Sequence, residues 1–213
     1  MKIKSLVFNP FYENTYILWD DTQEAIIVDP GCYETYEIDE LKRFIHEQKL
    51  QVKAIVNTHC HIDHVLGNYT LKTHYNCPLW IPKGEAEIYR AVEAYAPQWG
   101  INGFTYAEPD SLMENDAVIR FGNTELSSIF VPGHAPGHLM FHHIQDKVII
   151  GGDVLFRESI GRTDLPGGNH EDLLANIQSK LYILEDEIVV YPGHGPETTI
   201  GHEKQFNPFV RAQ

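Results

Sequence analysis

His59-Cys60-His61-Ile62-Asp63-His64 sets three imidazoles and a carboxylate within six residues. Imidazole and carboxylate are the side chains that zinc, and iron or manganese in mixed N/O sites, take as ligands. Residues i and i+2 do not share a helical face, so one helix would turn these groups apart. A tight loop at the end of a strand converges them, and Val52-Lys53-Ala54-Ile55-Val56-Asn57 reads as that strand. The stretch therefore predicts a metal site at a strand end. Its four side chains exceed the three protein ligands that one open catalytic ion needs, so two ions are in view.

The loop needs partners, and three later segments have the right form. Val131-Pro132-Gly133-His134 follows a predicted strand over Thr124–Phe130. Gly151-Gly152-Asp153 follows one over Lys147–Ile150. Tyr191-Pro192-Gly193-His194-Gly195 follows one over Glu187–Val190. Each strand stops in glycine, where backbone bends sharply, and then presents a His or an Asp. Ligand sites gather at such strand ends.

His-x-His-x-Asp-His followed in order by Gly-His, Gly-Asp and Gly-His resembles the metal signature of the metallo-β-lactamase superfamily, over the span from Asp29 to His194. The resemblance implies an α+β fold, an αββα four-layer sandwich of two mixed sheets flanked by helices. It implies that His59, His61 and His134 hold one divalent ion, that Asp63, His64 and His194 hold a second, and that Asp153 bridges them. Zinc is the expected metal, with iron or manganese as alternatives. A hydroxide held by the metals is then the nucleophile, with Asp63 and Asp153 as the catalytic carboxylates. Asp29, Thr58 and His138 are the residues expected to orient these ligands, since a metal-bound imidazole usually donates its other N–H to a carboxylate or carbonyl.

Within the superfamily, Pro132-Gly133-His134-Ala135-Pro136-Gly137-His138, Gly152-Asp153-Val154-Leu155-Phe156 and the stretches Gly161–Gly168 and Gly193–Gly201 are most similar to a short bacterial glyoxalase II-like (hydroxyacylglutathione hydrolase-like) group. That implies hydrolysis of a small-molecule thioester such as S-lactoylglutathione, with Arg157 and Arg162 as candidate substrate contacts. Full-length glyoxalase II adds a C-terminal helical domain that grips glutathione. Residues 1–213 read here as a single domain without one, so the thiol carrier stays open. The alternative is a persulfide dioxygenase of the same fold, with His59, His134 and Asp153 on a single iron. His194 argues against it, because one iron does not require that ligand. A lactonase or β-lactamase activity ranks lower.

The rest of the chain limits the partners. A net charge of −14 argues against a nucleic-acid backbone and against anionic membrane surfaces. Three cysteines, at 32, 60 and 77, fit neither a disulfide framework nor a thiolate zinc cluster, which points to the cytoplasm. No signal peptide or membrane span is expected. Helices are predicted near Glu37–Gln48, Val65–His74, Gly84–Tyr95 and His170–Leu181, the last with Asn169 as N-cap. Two-residue turns are expected at Gly122-Asn123 and Gln145-Asp146, and an irregular stretch over Ala96–Asp116 carries Trp99, Phe104 and Tyr106 as a lid or a packed flap. Of twelve histidines, His46, His74, His170 and His202 read as solvated, and at most one of His142 and His143 faces the core. Cys60 reads as a small buried filler.

Overall fold

The computed structural model describes residues 1–211 of the 213-residue chain. Backbone contacts group it into two compact units. The first is Met1–Met113 with Arg120–Thr124; the second is Glu114–Ile119 with everything from Glu125 onward.

The first unit is built from β1 (Lys2–Phe8), β2 (Glu13–Trp19), β3 (Glu24–Val28), α1 (Thr35–Glu47), β4 (Gln51–Val56), α2 (Ile62–Val65), α3 (Asn68–Tyr75), β5 (Leu79–Pro82), α4 (Ala86–Tyr95) and β6 (Ser111–Met113). Its sheet runs β1-β2-β3-β4-β5-β6. The first three strands are antiparallel neighbours, whereas β3, β4, β5 and β6 pair in parallel. Parallel neighbours need a crossover, which α1 supplies from β3 to β4 and α2 with α3 from β4 to β5. Central parallel strands are buried on both faces, which is why Ile26-Ile27-Val28 and Ala54-Ile55-Val56 are unbroken apolar runs at 0% exposure. Leu41 and Ile45 of α1 join the same core as Ile27, Ile55, Leu79 and Tyr89. Burying a Leu or Ile side chain contributes about 1.5–3 kcal/mol.

The second sheet runs β14-β13-β10-β9-β8-β7. Its strands are β7 (Val118–Phe121), β8 (Thr124–Phe130), β9 (Leu139–His143), β10 (Val148–Gly152), β13 (Val189–Pro192) and β14 (Thr198–Thr199), while β11 (Leu155–Phe156) and β12 (Ser159–Ile160) form a separate hairpin. α5 (His170–Asn176) and α6 (Ile200–Phe206) complete this part. Leu173, Ile177 and Leu181 pack with Ile149, Val190 and Ile200 in its core. Asn169 caps α5, its side chain accepting from the Asp172 N–H at 3.2 Å.

Several elements differ from the sequence reading. The predicted helix over 170–181 is α-helical only to Asn176 and continues as a π-helical segment, Ile177–Leu181. The irregular stretch after α4 contains a 3-10 turn, Ala96–Trp99, and the strand β6. The β9–β10 turn, by contrast, has the expected Gln145-Asp146 at its centre, closed by Lys147 N–H donating to Ile144 O at 3.2 Å. β11, β12, β14 and α6 were not expected. Among the four histidines read as solvated, His46, His74 and His170 are exposed, whereas His202 is partly covered and pairs with Glu158 at 3.1 Å. His143 is buried and His142 is partly so.

α6 is held by a buried carboxylate. Glu203 is 0% exposed and accepts from the Glu158 N–H at 3.0 Å, from Asn207 Nδ2 at 2.8 Å and from the Thr198 hydroxyl. Replacing it with Leu strands three donors, each costing about 1–3 kcal/mol when unmade in the interior. Glu203→Leu is therefore expected to lower unfolding free energy by roughly 3 kcal/mol or more in urea titration. A loss below about 1 kcal/mol would show that these donors find other acceptors.

Candidate metal centre

Strand register decides which side chains meet in the first unit. Val28 and Val56 are partners in the parallel β3–β4 pair, so Asp29 and Asn57-Thr58 leave the sheet side by side. The Asp29 N–H donates to Val56 O at 3.0 Å. The Asp29 carboxylate in turn accepts the Thr58 N–H at 2.7 Å and the Thr58 hydroxyl at 2.6 Å. Because the Thr58 hydroxyl spends its proton on Asp29, its oxygen accepts from His59 Nδ1, 3.0 Å away. His59 then presents Nε2 as its lone-pair donor. Asp29 Oδ2 also lies 3.3 Å from His64 Nδ1, so one carboxylate orients two imidazoles.

The motif is not a continuous loop. His61 is extended, but Ile62 to Val65 form α2, so Asp63 and His64 sit on a helical turn. The chain thus turns back after His61, and the His59 ring centroid lies 4.9 Å from His61 and 4.1 Å from His64. Asp63 Oδ2 is 3.6 Å from His64 Nε2. All three imidazoles are buried.

The second unit gathers its own set by the same logic. In the parallel β10–β13 pair Gly152 faces Pro192, so Asp153 and His194 emerge together, with the Gly193 N–H donating to Gly152 O at 2.8 Å. In the antiparallel β8–β9 pair Phe130 faces Leu139, and Val131 N–H donates to His138 O at 3.0 Å, closing the loop that carries His134. His134 Nε2 and His194 Nε2 lie 3.6 and 3.5 Å from the same atom, Asp153 Oδ2. His134 Nδ1 donates to the Arg162 carbonyl at 2.7 Å, again leaving Nε2 as the lone-pair donor. His138 Nε2 accepts the Asp153 N–H at 3.0 Å and so holds the backbone of that aspartate.

These donors fit divalent metal. Two ligand atoms about 2.1 Å from a tetrahedral ion lie roughly 3.4 Å apart, close to the spacings around Asp153 Oδ2. Neutral imidazoles with Nδ1 committed elsewhere, set among carboxylates, are the donor set of a zinc, iron or manganese site.

Other expectations fall out as follows. Arg157 is exposed and makes no ion pair among the described residues. The Arg162 guanidinium is exposed and gripped by Asp164 through two 2.7 Å bonds, which pushes the Asp164 carboxyl down to about 2. The contact Arg162 makes with His134 is through its carbonyl. Cys60 is fully buried in the core, and burial, with Glu85 and Asp29 adding to it, pushes its thiol well up. In the long connection after α4, Phe104 and Tyr106 pack on Tyr89, while half-exposed Trp99 meets Phe11 edge-on at 5.9 Å.

Sequence reading passed over four supports. Asn57 Nδ2 donates to His64 O at 2.9 Å, Glu85 accepts the Cys60 N–H at 3.1 Å, and Asn9 Nδ2 donates to Asp63 O at 2.9 Å. Glu13, at the start of β2, is fully buried 3.9 Å behind His64 Nδ1. Desolvation pushes its carboxyl up, a shift that His64 partly opposes. Glu13 opens β2 on a polar run, Glu13-Asn14-Thr15, so the sequence carried no signal that it would be buried.

A chain that presents histidine and aspartate sets at the carboxyl ends of parallel strands in both of its units is built as a metalloprotein. Residues 8–194 match the family model of the metallo-β-lactamase superfamily, and the chain belongs to that superfamily. It is similar to hydroxyacylglutathione hydrolase GloC of Haemophilus influenzae, 34% identical over 100% of both chains. Among solved structures it is similar to the BLEG-1 B3 metallo-β-lactamase, with TM-score 0.89, 34% identity, and coverage of 98% of this chain and 99% of the other. It is also similar to TTHA1623 in a di-iron-bound form, with TM-score 0.87, 31% identity, and coverage of 97% and 100%. The fold is the αββα metallo-β-lactamase fold, which binds divalent metals, and the family is one of metallo-hydrolases.

Proposed function

We propose that the chain is a cytoplasmic, metal-dependent thioesterase that hydrolyses hydroxyacyl thioesters of the S-lactoylglutathione type. In this reading the two units are halves of one catalytic domain. His59, His61 and His134 hold one divalent ion, Asp63, His64 and His194 a second, and Asp153 is shared; zinc is the favoured metal. The observation that carries the reading is His194, 3.5 Å from the Asp153 oxygen that also faces His134 at 3.6 Å. A carboxylate flanked by two imidazoles is placed to serve two ions, and a mono-iron dioxygenase has no use for the second imidazole. Full-length similarity to a hydroxyacylglutathione hydrolase supports the thioester substrate.

When bound, such ions lower the pKa of a water to supply the nucleophile and polarise the substrate carbonyl. The protein's own groups do the rest. Asp29, Thr58 and the Arg162 carbonyl fix imidazole tautomers, so the donor atoms need no rearrangement. Asp63, with a side chain 14% exposed, is the carboxylate placed to receive a proton during turnover. Arg157, exposed and without an ion-pair partner among the described residues, is a cation that can meet a substrate carboxylate without first giving up a partner. The unpaired, buried cysteines suit a reducing cytoplasm.

Metal counting beside two assays tests this. The expected result is two ions per chain and S-lactoylglutathione turnover, with no oxygen uptake on glutathione persulfide. One iron with oxygen consumption overturns it. His194→Ala is expected to lose one ion and at least about 100-fold in hydrolysis; unchanged hydrolysis would refute the two-ion mechanism.

A further inference from the structure

Glu13 is a fully buried carboxylate that the sheet does not explain. Its Oε2 meets the Thr15 hydroxyl at 2.9 Å, and its Oε1 has no hydrogen-bond partner among the described residues. That unpartnered oxygen lies 3.9 Å from His64 Nδ1, beside the Asp29 oxygen at 3.3 Å. An interior acceptor without a donor costs about 1–3 kcal/mol, and Glu13 sits where an apolar side chain would avoid that cost.

The surroundings are shaped to keep it there. Thr15 Oγ1 accepts the Gly31 N–H at 2.9 Å and lies 2.9 Å from the Asp29 carbonyl, so it is fixed by the turn after β3. A Cβ on Gly31 would stand 2.1 Å from Glu13 Oε2, 2.5 Å from Asp63 O and 2.6 Å from Asn9 Nδ2. Gly31 therefore leaves the space that the Glu13 carboxylate and the α2 backbone share.

From this geometry we propose that Glu13 is a positioning residue for the His64 ligand, working through Nδ1 beside Asp29. The inference rests on the two-ion reading above. A cation drawing on Nε2 makes the Nδ1 proton a stronger donor, and a movement of about 1 Å brings Oε1 within hydrogen-bond range. Asp29 already serves the Thr58 N–H and hydroxyl, so a second acceptor behind His64 completes the support of that ring. Glu13 acts on the ion that His64 holds and leaves the ion of His59, His61 and His134 alone.

The test is stepwise zinc titration of the full-length, metal-stripped chain against a chromophoric chelator, with thermal melting of the metal-free proteins alongside. Glu13→Gln keeps the volume and a polar contact to Thr15 but removes the carboxylate. The expected result is a second binding step weakened about tenfold or more, a first step within twofold of wild type, and a little-changed apo melting temperature. A purely structural role predicts both steps unchanged in Glu13→Gln, and that outcome overturns the proposal. If Glu13→Gln does not fold, Glu13→Asp, which keeps the charge but withdraws it by one methylene, should weaken the second step about threefold to tenfold; an unchanged second step overturns the proposal equally. A wild-type titration without two steps would instead overturn the two-ion reading, and it is seen in the wild-type arm alone.

Discussion

Asp29→Asn is expected to weaken divalent-metal binding by about 10- to 100-fold and to lower stability by roughly 2–4 kcal/mol. The residue is 1% exposed. Its two oxygens accept the Thr58 N–H and the Thr58 hydroxyl, face His64 Nδ1 at 3.3 Å, and lie 3.4 Å from Asn57 Nδ2. An amide has one acceptor oxygen, so one of these donors must then face an NH₂ group. If that donor is the Thr58 hydroxyl, it turns away, the reason for His59 to carry its proton on Nδ1 disappears, and the Nε2 donor is no longer pre-set. The backbone is not the cause, because Asp29 has φ +49° and Asn tolerates the left-handed region well. Isothermal zinc titration and urea denaturation of the metal-free protein separate the two effects. Equal metal affinity in Asp29→Asn and wild type would show that the carboxylate does not orient the imidazoles.

The same aspartate shows how far the sequence could be read. His59, His61, Asp63, His64, His134, Asp153 and His194 stood out as candidates by residue type and motif order, since that pattern is local in the sequence. That Asp29 touches Thr58 depends on Val28 facing Val56, and register between strands separated by a helix is not written in either strand. Glu13 was hidden for a related reason. β2 is buried along nearly its whole length, so the two-residue alternation that marks a strand is missing. α6 is seven residues long with one buried apolar side chain, Ile200, and a buried Glu203 in place of the next. A helix whose inner face is a carboxylate network has no apolar stripe to reveal it. The π-helical Ile177–Leu181 escaped because Leu173, Ile177 and Leu181 keep a spacing that an α-helix would also give.

Gly161→Ala is expected to cost about 3 kcal/mol or more and to impair metal binding at the same time, because crowding here falls on two candidate ligands. The β11–β12 hairpin folds back so that the Gly161 N–H donates to Val154 O at 3.1 Å. A Cβ at 161 would lie 1.9 Å from the Asp153 carbonyl oxygen, 3.0 Å from its carbonyl carbon and 3.2 Å from His134 Cβ. Those neighbours are backbone or attached directly to it, so none can swing aside as a side-chain tip would. Relief requires the Asp153 peptide to move, and with it the N–H that His138 Nε2 holds at 3.0 Å. Gly103→Ala separates this crowding from the generic cost of losing a glycine. Gly103 has φ +86° and nothing within 4 Å of an added Cβ, so only backbone strain is at stake, about 1–2 kcal/mol. Urea denaturation should therefore rank Gly161→Ala as the more damaging change, although its backbone lies outside the left-handed region. Zinc titration should find Gly103→Ala unaltered and Gly161→Ala weakened by at least about tenfold. If the two variants proved equally mild, the hairpin would have room to retreat from Asp153, and its close approach would not be what fixes that carboxylate.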